Sequence, residues 1–180
     1  MFWRGAALLG GVMVFGTLPA LVHADPTTPS KFEATKYPPQ KAVYHFNFAE
    51  PAQWQEGARR VANHLKTLEK NGDLARSRIV VVVNGNELHA LARANRAVFP
   101  EVYPALEALT RQGVAVRICG NAANRRGYKP EEFYDLTTVV PAAVTELARL
   151  QEEGYAYLHL ELADPLTREQ LKARHPELEM

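Results

Sequence analysis

The run "RIVVVVNG" (Arg78–Gly85) constrains this chain more than any other stretch. Its apolar residues fall on both faces of an extended chain, so a strand made from it has to be covered on both sides. That is the situation of a central strand in a parallel sheet clothed by helices. The rest of the sequence supplies the matching pieces at the right intervals. "KAVYHFNF" (Lys41–Phe48) reads as a strand with Val43, His45 and Asn47 on one face and Ala42, Tyr44, Phe46 and Phe48 on the other. Between these two runs, Trp54, Ala58, Val61, Leu65 and Leu68 recur at steps of four and three. This makes an apolar helical stripe that begins near Pro51 and is stopped by Asn71–Gly72.

The alternation continues. A short helix is expected over Glu87 to about Ala97, a second over Val102–Arg111 with Gly113 as its stop, and a third strand over "VAVRICG" (Val114–Gly120). Leu136–Val140 reads as a fourth strand, Pro141–Gly154 as a helix, and "YAYLHLEL" (Tyr155–Leu162) as a fifth strand. Strands and helices in this order predict a three-layer α/β/α sandwich on a mostly parallel five-stranded sheet. No second domain and no internal repeat is seen. The domain is expected over 41–162, preceded by an extended Pro- and Thr-rich arm over 25–40 and followed by a charged tail over 163–180, at best a peripheral helix.

Residues 1–24 read as a signal peptide: one basic residue, Arg4, an apolar run, then "VHA" with cleavage after Ala24. The competing reading is a retained anchor, because the run is almost long enough to span a bilayer. The first reading predicts export, to a bacterial periplasm, and no membrane contact after removal. Lys and Arg number 21 against 20 Asp and Glu, so losing Arg4 leaves a near-neutral chain. Nucleic acid is therefore not expected as a partner, since backbone binding needs a basic excess.

Chemistry has few places to reside. No GxGxxG, GxxxxGK[ST], GxSxG or HExxH is present, so neither cofactor nor metal centre is expected. "NGNE" (Asn84–Glu87) could form an anion-binding turn, a common feature of little weight. His64 falls on the polar side of the first helix and is expected in solvent. The single cysteine, Cys119, ends the third strand, and function in such sheets gathers at the carboxyl ends of strands. Its face also carries Arg117, which predicts a thiol within reach of solvent. The helix-like start after it and the positive charges of Arg125 and Arg126 would favour a thiolate. His45, at another strand end, is placed either to assist or to serve as a hydrogen-bonded structural residue. Cys119 itself is either a nucleophile or a packed side chain, and at this point both readings stand.

The segment "VAVRICGNAANRRGY", with its strand ending in Cys, small residues, basic pair and Gly, resembles the active-cysteine segment of the DsrE/DsrF-like family. Members of that family include the sulfur-relay protein TusD. The resemblance extends over "KAVYHFNF", "RIVVVVNG" and "VVPAAVTELARLQEEGYAYL", about Lys41–Leu160, and the leader makes the chain similar to an exported, periplasmic branch. It implies a DsrEFH-like sandwich assembled as a homo-oligomer, trimer or hexamer. It also implies that Cys119 carries sulfane sulfur as a persulfide between a donor and an acceptor protein. Gly120, Asn121, Arg125 and Arg126 match motif positions and would support it. The alternative is a non-catalytic ligand-binding or assembly module in which Cys119 is structural. On the fifth strand, Tyr155, Tyr157, His159 and Glu161 share a face suited to a subunit interface.

Overall fold

Strands Lys41–Phe46 (β1), Arg78–Val83 (β2), Ala115–Cys119 (β3), Thr137–Val140 (β4) and Ala156–His159 (β5) form one sheet in the order β4-β3-β2-β1-β5, every neighbouring pair parallel. The architecture comes from a computed structural model that describes residues 27–163 and 166–178. The apolar leader, its cleavage point and the first residues of the arm lie outside the described residues. Among the described residues no helix is long and apolar enough to cross a membrane.

β2 occupies the centre, and Ile79–Val83 are all buried, as a strand covered on both faces requires. One cover is Gln53–Asn71 (α1). Trp54, Ala58, Val61, Leu65 and Leu68 are buried along its stripe, and Trp54 packs edge-on against Phe46 of β1 at 5.6 Å between ring centroids. Val102–Arg111 (α2) packs beside α1 on that side. The other cover is Ala143–Glu152 (α4), which touches β1, β2 and β5 and buries Leu147 and Leu150. A one-and-a-half-turn helix, Gly120–Arg125 (α3), follows β3 directly, and Arg168–Arg174 (α5) lies in the tail with a Thr167–Gln170 capping box. The chain steps from β1 to β4 in one direction, then crosses the sheet through α4 to β5 beside β1. The strand order therefore changes direction between β1 and β5.

Several elements differ from the sequence reading, mostly by fraying at strand ends. The helix expected over Glu87 to Ala97 is two 3₁₀ turns, Asn86–Leu91 and Arg93–Asn95. The reason is a buried carboxylate. Glu87 is fully buried, and its two oxygens accept the backbone N–H groups of Phe48 (2.7 Å) and Gly85 (2.9 Å). The candidate anion-binding turn "NGNE" thus has its amides spent within the chain, Gly85 on the Glu87 side chain and Asn84 and Asn86 on the carbonyl oxygens of Phe46 and Phe48.

His64 is also not free in solvent. Its Nδ1 lies 2.9 Å from the Tyr44 hydroxyl and its Nε2 2.7 Å from Gln40 Oε1, fixing the arm's end to α1 and β1. Burial pushes Tyr44 up to about 12 and pulls His64 below its ordinary value of 6.5. Burial also holds the His45 ring below that value, with the neighbouring His159 adding to the effect and a hydrogen bond to Asn84 opposing it. A histidine depressed in the folded state stabilises above the unfolded pKa, and that contribution is lost as pH falls through the window from about 6.5 down to the folded value. Stability is therefore expected to fall on acidification through this window. His64→Gln should flatten that slope in chemical denaturation series run at closely spaced pH.

Candidate functional site

Cys119 is the last residue of β3 and the residue from which α3 starts. Its backbone is extended (φ −68°, ψ 112°), as an N-cap requires, and its Sγ accepts the backbone N–H of Ala122 at 3.4 Å. A second amide reaches the same sulfur from elsewhere in the chain: Ala143 N–H, at the first residue of α4, lies 3.2 Å from Sγ. The sulfur thus sits between two helix starts, with two N–H donors aimed at it. An acceptor held this way gains most when it is anionic, because hydrogen bonds to an ionised partner are roughly twice as strong as neutral ones.

The thiol is not on the surface. Cys119 is 6% exposed and packed in the hydrophobic core, contrary to the solvent access inferred from Arg117 on the same face. The cause lies in α4. Its first turn covers the end of β3, and its Glu146 neutralises Arg117 (Nη1 to Oε1, 3.1 Å) so that this face can be closed. The Arg149 guanidinium, hydrogen-bonded to Glu146, and Arg117 hold that carboxyl below the usual range against the effect of burial. Arg117 Nε is left buried without a partner.

The other predicted residues divide. Gly120 is required by close approach: a Cβ there would stand 2.9 Å from the Val140 carbonyl oxygen and 3.3 Å from that of Pro141. Asn121 exposes its side chain, and its backbone N–H donates to Pro141 O at 3.1 Å, tying α3 to the β4–α4 linker. Arg125 is exposed at the far end of α3. Arg126 turns back to Asn86 Oδ1 (3.1 Å) and Ala122 O (3.2 Å), bracing α3 against the 3₁₀ turn after β2. Neither arginine makes a hydrogen bond or ion pair with the sulfur among the described residues.

His45 shares a sheet face with Cys119 but stands two strands away. It is in register with Val82 and, through it, Arg117, a lateral distance of about 10 Å. Its ring nitrogens are engaged instead by Tyr157 Oη (Nδ1, 2.8 Å) and Asn84 Oδ1 (Nε2, 3.0 Å), and His159 lies 6.2 Å away between ring centroids. This cluster marks the β1/β5 reversal and is separate from the thiol. The amide of Ala143 is what the sequence reading missed. Pro141 announced the helix, but nothing local said that its first N–H would close on Cys119.

The sequence matches the DsrE/DsrF-like family over residues 41–160, two thirds of its length. The chain belongs to that family. No curated protein matches the sequence. Among solved structures, the chain is similar to a protein of unknown function from Methanobacterium thermoautotrophicum. The two superpose with a TM-score of 0.54 at 24% identity, over 69% of this chain and 99% of that one. The likeness supports the DsrE-type sandwich and nothing about chemistry. In this DsrE-type domain the matched region begins with β1 and runs just past β5, so Cys119 and both helix starts around it belong to the family fold.

Gly120→Ala tests how tightly this corner is built. The added methyl presses on the linker that carries Ala143, so a loss of about 1–2 kcal/mol in denaturant stability is expected, with faster alkylation of the folded thiol. An unchanged midpoint and alkylation rate would show that the linker yields freely.

Proposed function

We propose that this DsrE-family chain handles sulfane sulfur, with Cys119 as the carrier atom. The supporting observation is the pair of amide donors, Ala122 N–H and Ala143 N–H, converging on the chain's single thiol at a strand's carboxyl end. The thiolate attacks a sulfane sulfur, for example the outer sulfur of thiosulfate. The new S–S bond forms as the S–SO₃ bond breaks, and sulfite leaves with the electron pair. An acceptor thiolate then attacks the outer sulfur of the persulfide, and Cys119 departs as thiolate. No oxidant is consumed in either step. Access requires the first turn of α4 to lift, since that turn closes over the sulfur.

The reading includes export to a periplasm, a donor and an acceptor protein there, and assembly as a trimer or hexamer. The edge strand β5 supports assembly, because Tyr157 is 42% exposed on it. A second reading is favoured by the burial of the thiol: Cys119 is then a structural N-cap in a non-catalytic binding module. Mass spectrometry after incubation with thiosulfate or polysulfide separates the two. Gain of one sulfur atom on Cys119 supports the carrier; an unmodified thiol under all donors leaves the structural reading.

A further inference from the structure

Arg117 is held on the sulfur's face of the sheet by one partner, and that partner does not depend on it. Arg117 precedes Cys119 by two residues on β3, so the two side chains leave the same face about 7 Å apart along the strand. Among the described residues Glu146 is the only ionic or hydrogen-bonding partner of Arg117, 3.1 Å from Nη1, and Nε is buried with none. A guanidinium carries five N–H donors, so most of this one's capacity is not met by the chain. Glu146 is better served. Arg149, three residues on in α4, grips both of its oxygens (Nε to Oε2, 2.9 Å; Nη2 to Oε1, 2.7 Å). Glu146 lies in the first turn of α4, the turn that closes over the thiol. When that turn lifts, the carboxylate leaves with its own counter-ion, and Arg117 stays on β3 as an uncompensated cation beside the sulfur. The Arg117 side chain is already 30% exposed, so an anion from solvent can reach it.

We infer that Arg117 binds the oxyanion end of an anionic sulfur donor of the thiosulfate type, in the place Glu146 holds when the face is closed, and so turns the donor's outer sulfur toward Cys119. The inference rests on the sulfur-carrier reading and names the class of donor. A guanidinium fork bonds two oxygens of a tetrahedral oxyanion, as it does with phosphate. The chemistry calls for such a cation. A thiolate and a dianionic donor repel each other at the distance of attack. Sulfite then leaves with the electron pair, so negative charge gathers at the oxyanion end as the S–SO₃ bond breaks. Neither of the arginines after Cys119 meets that charge: Arg125 is exposed at the far end of α3, and Arg126 is turned to Asn86 and Ala122. The amides of Ala122 and Ala143 face the thiol itself. Arg117 is the cation left for the donor.

The test follows modification of Cys119 in the folded protein by mass spectrometry, with three reagents: thiosulfate, the neutral methyl methanethiosulfonate and its anionic 2-sulfonatoethyl analogue. Both methanethiosulfonates form a mixed disulfide with the thiolate and release methanesulfinate, so the ratio of the anionic to the neutral rate reads the charge beside the sulfur. Arg117→Met should lower that ratio about tenfold, with the neutral reagent reacting at the parent rate or faster. It should slow thiosulfate loading by at least as much, chiefly through a higher half-saturating concentration. Arg117→Lys should restore part of the ratio. Glu146→Gln keeps the cation and weakens the closure, so it should quicken all three reagents and raise the ratio. A purely structural ion pair predicts instead that Arg117→Met and Glu146→Gln quicken every reagent alike. That result overturns the inference, as does an unchanged ratio in Arg117→Met. The ratio is defined whether or not thiosulfate loads. A parent protein that takes up no sulfur ends the carrier reading, and a ratio indifferent to Arg117 ends this one.

Discussion

Cys119→Ser is expected to abolish sulfur loading completely while leaving the domain folded. The hydroxyl of serine is a good N-cap and accepts N–H groups more strongly than a thiol, so the two amides of Ala122 and Ala143 retain an acceptor. Cys119→Ala removes that acceptor and is expected to cost about 1–2 kcal/mol in denaturant stability, because two buried donors lose their partner. The contrast between these variants separates chemistry from capping. A persulfide that still forms in the serine variant, on a chain with no other cysteine, would end the carrier reading. Because the sulfur is buried, loading by a compact polysulfide should outpace alkylation by a bulky maleimide. Both rates should track the opening of α4's first turn, measured as hydrogen exchange at Ala143.

Gly85→Ala is expected to be the most damaging single methyl in the protein, costing about 3 kcal/mol or more. The residue sits at the end of β2, where a Cβ would lie 2.6 Å from the Phe48 carbonyl oxygen and closer still to Phe48 N and Glu87 Oε2. Two of these atoms are backbone and the third belongs to a fully buried carboxylate, so none can move cheaply. The same contact anchors the 3₁₀ turns that brace α3 through Asn86 and Arg126, so the damage should reach the end of β3. Guanidinium unfolding measures the loss. A change under about 0.5 kcal/mol, the size of an ordinary surface substitution, would show that the Glu87 cradle is not the fixed point it looks to be.

How far the sequence could be read depended on the range of the interaction. The two-sided run of β2, the stripe of α1 and the Gly and Pro boundaries of α2 and α4 are local patterns, and the sheet with its covering helices followed from them. Alternation extends the apparent strands past their true ends: Leu160 and Leu162 continue the pattern of β5, but its pairing with β1 stops at His159. The apolar spacing of the segment after β2 permits a helix. The buried Glu87 carboxylate, pinned by Phe48 from β1's end, holds it to 3₁₀ geometry instead.

By itself the sequence determined the layered parallel fold, the family, and the placing of the lone cysteine at a strand's carboxyl end, since each is written in periodicity or in a contiguous motif. Only the tertiary structure decided what that cysteine faces. A residue's solvent exposure and hydrogen-bond donors are supplied by segments distant in the chain. Here Ala143 and Glu146, more than twenty residues on, close the face that Arg117 seemed to hold open. No local pattern records that meeting, because it exists only once the sheet has brought the two segments side by side.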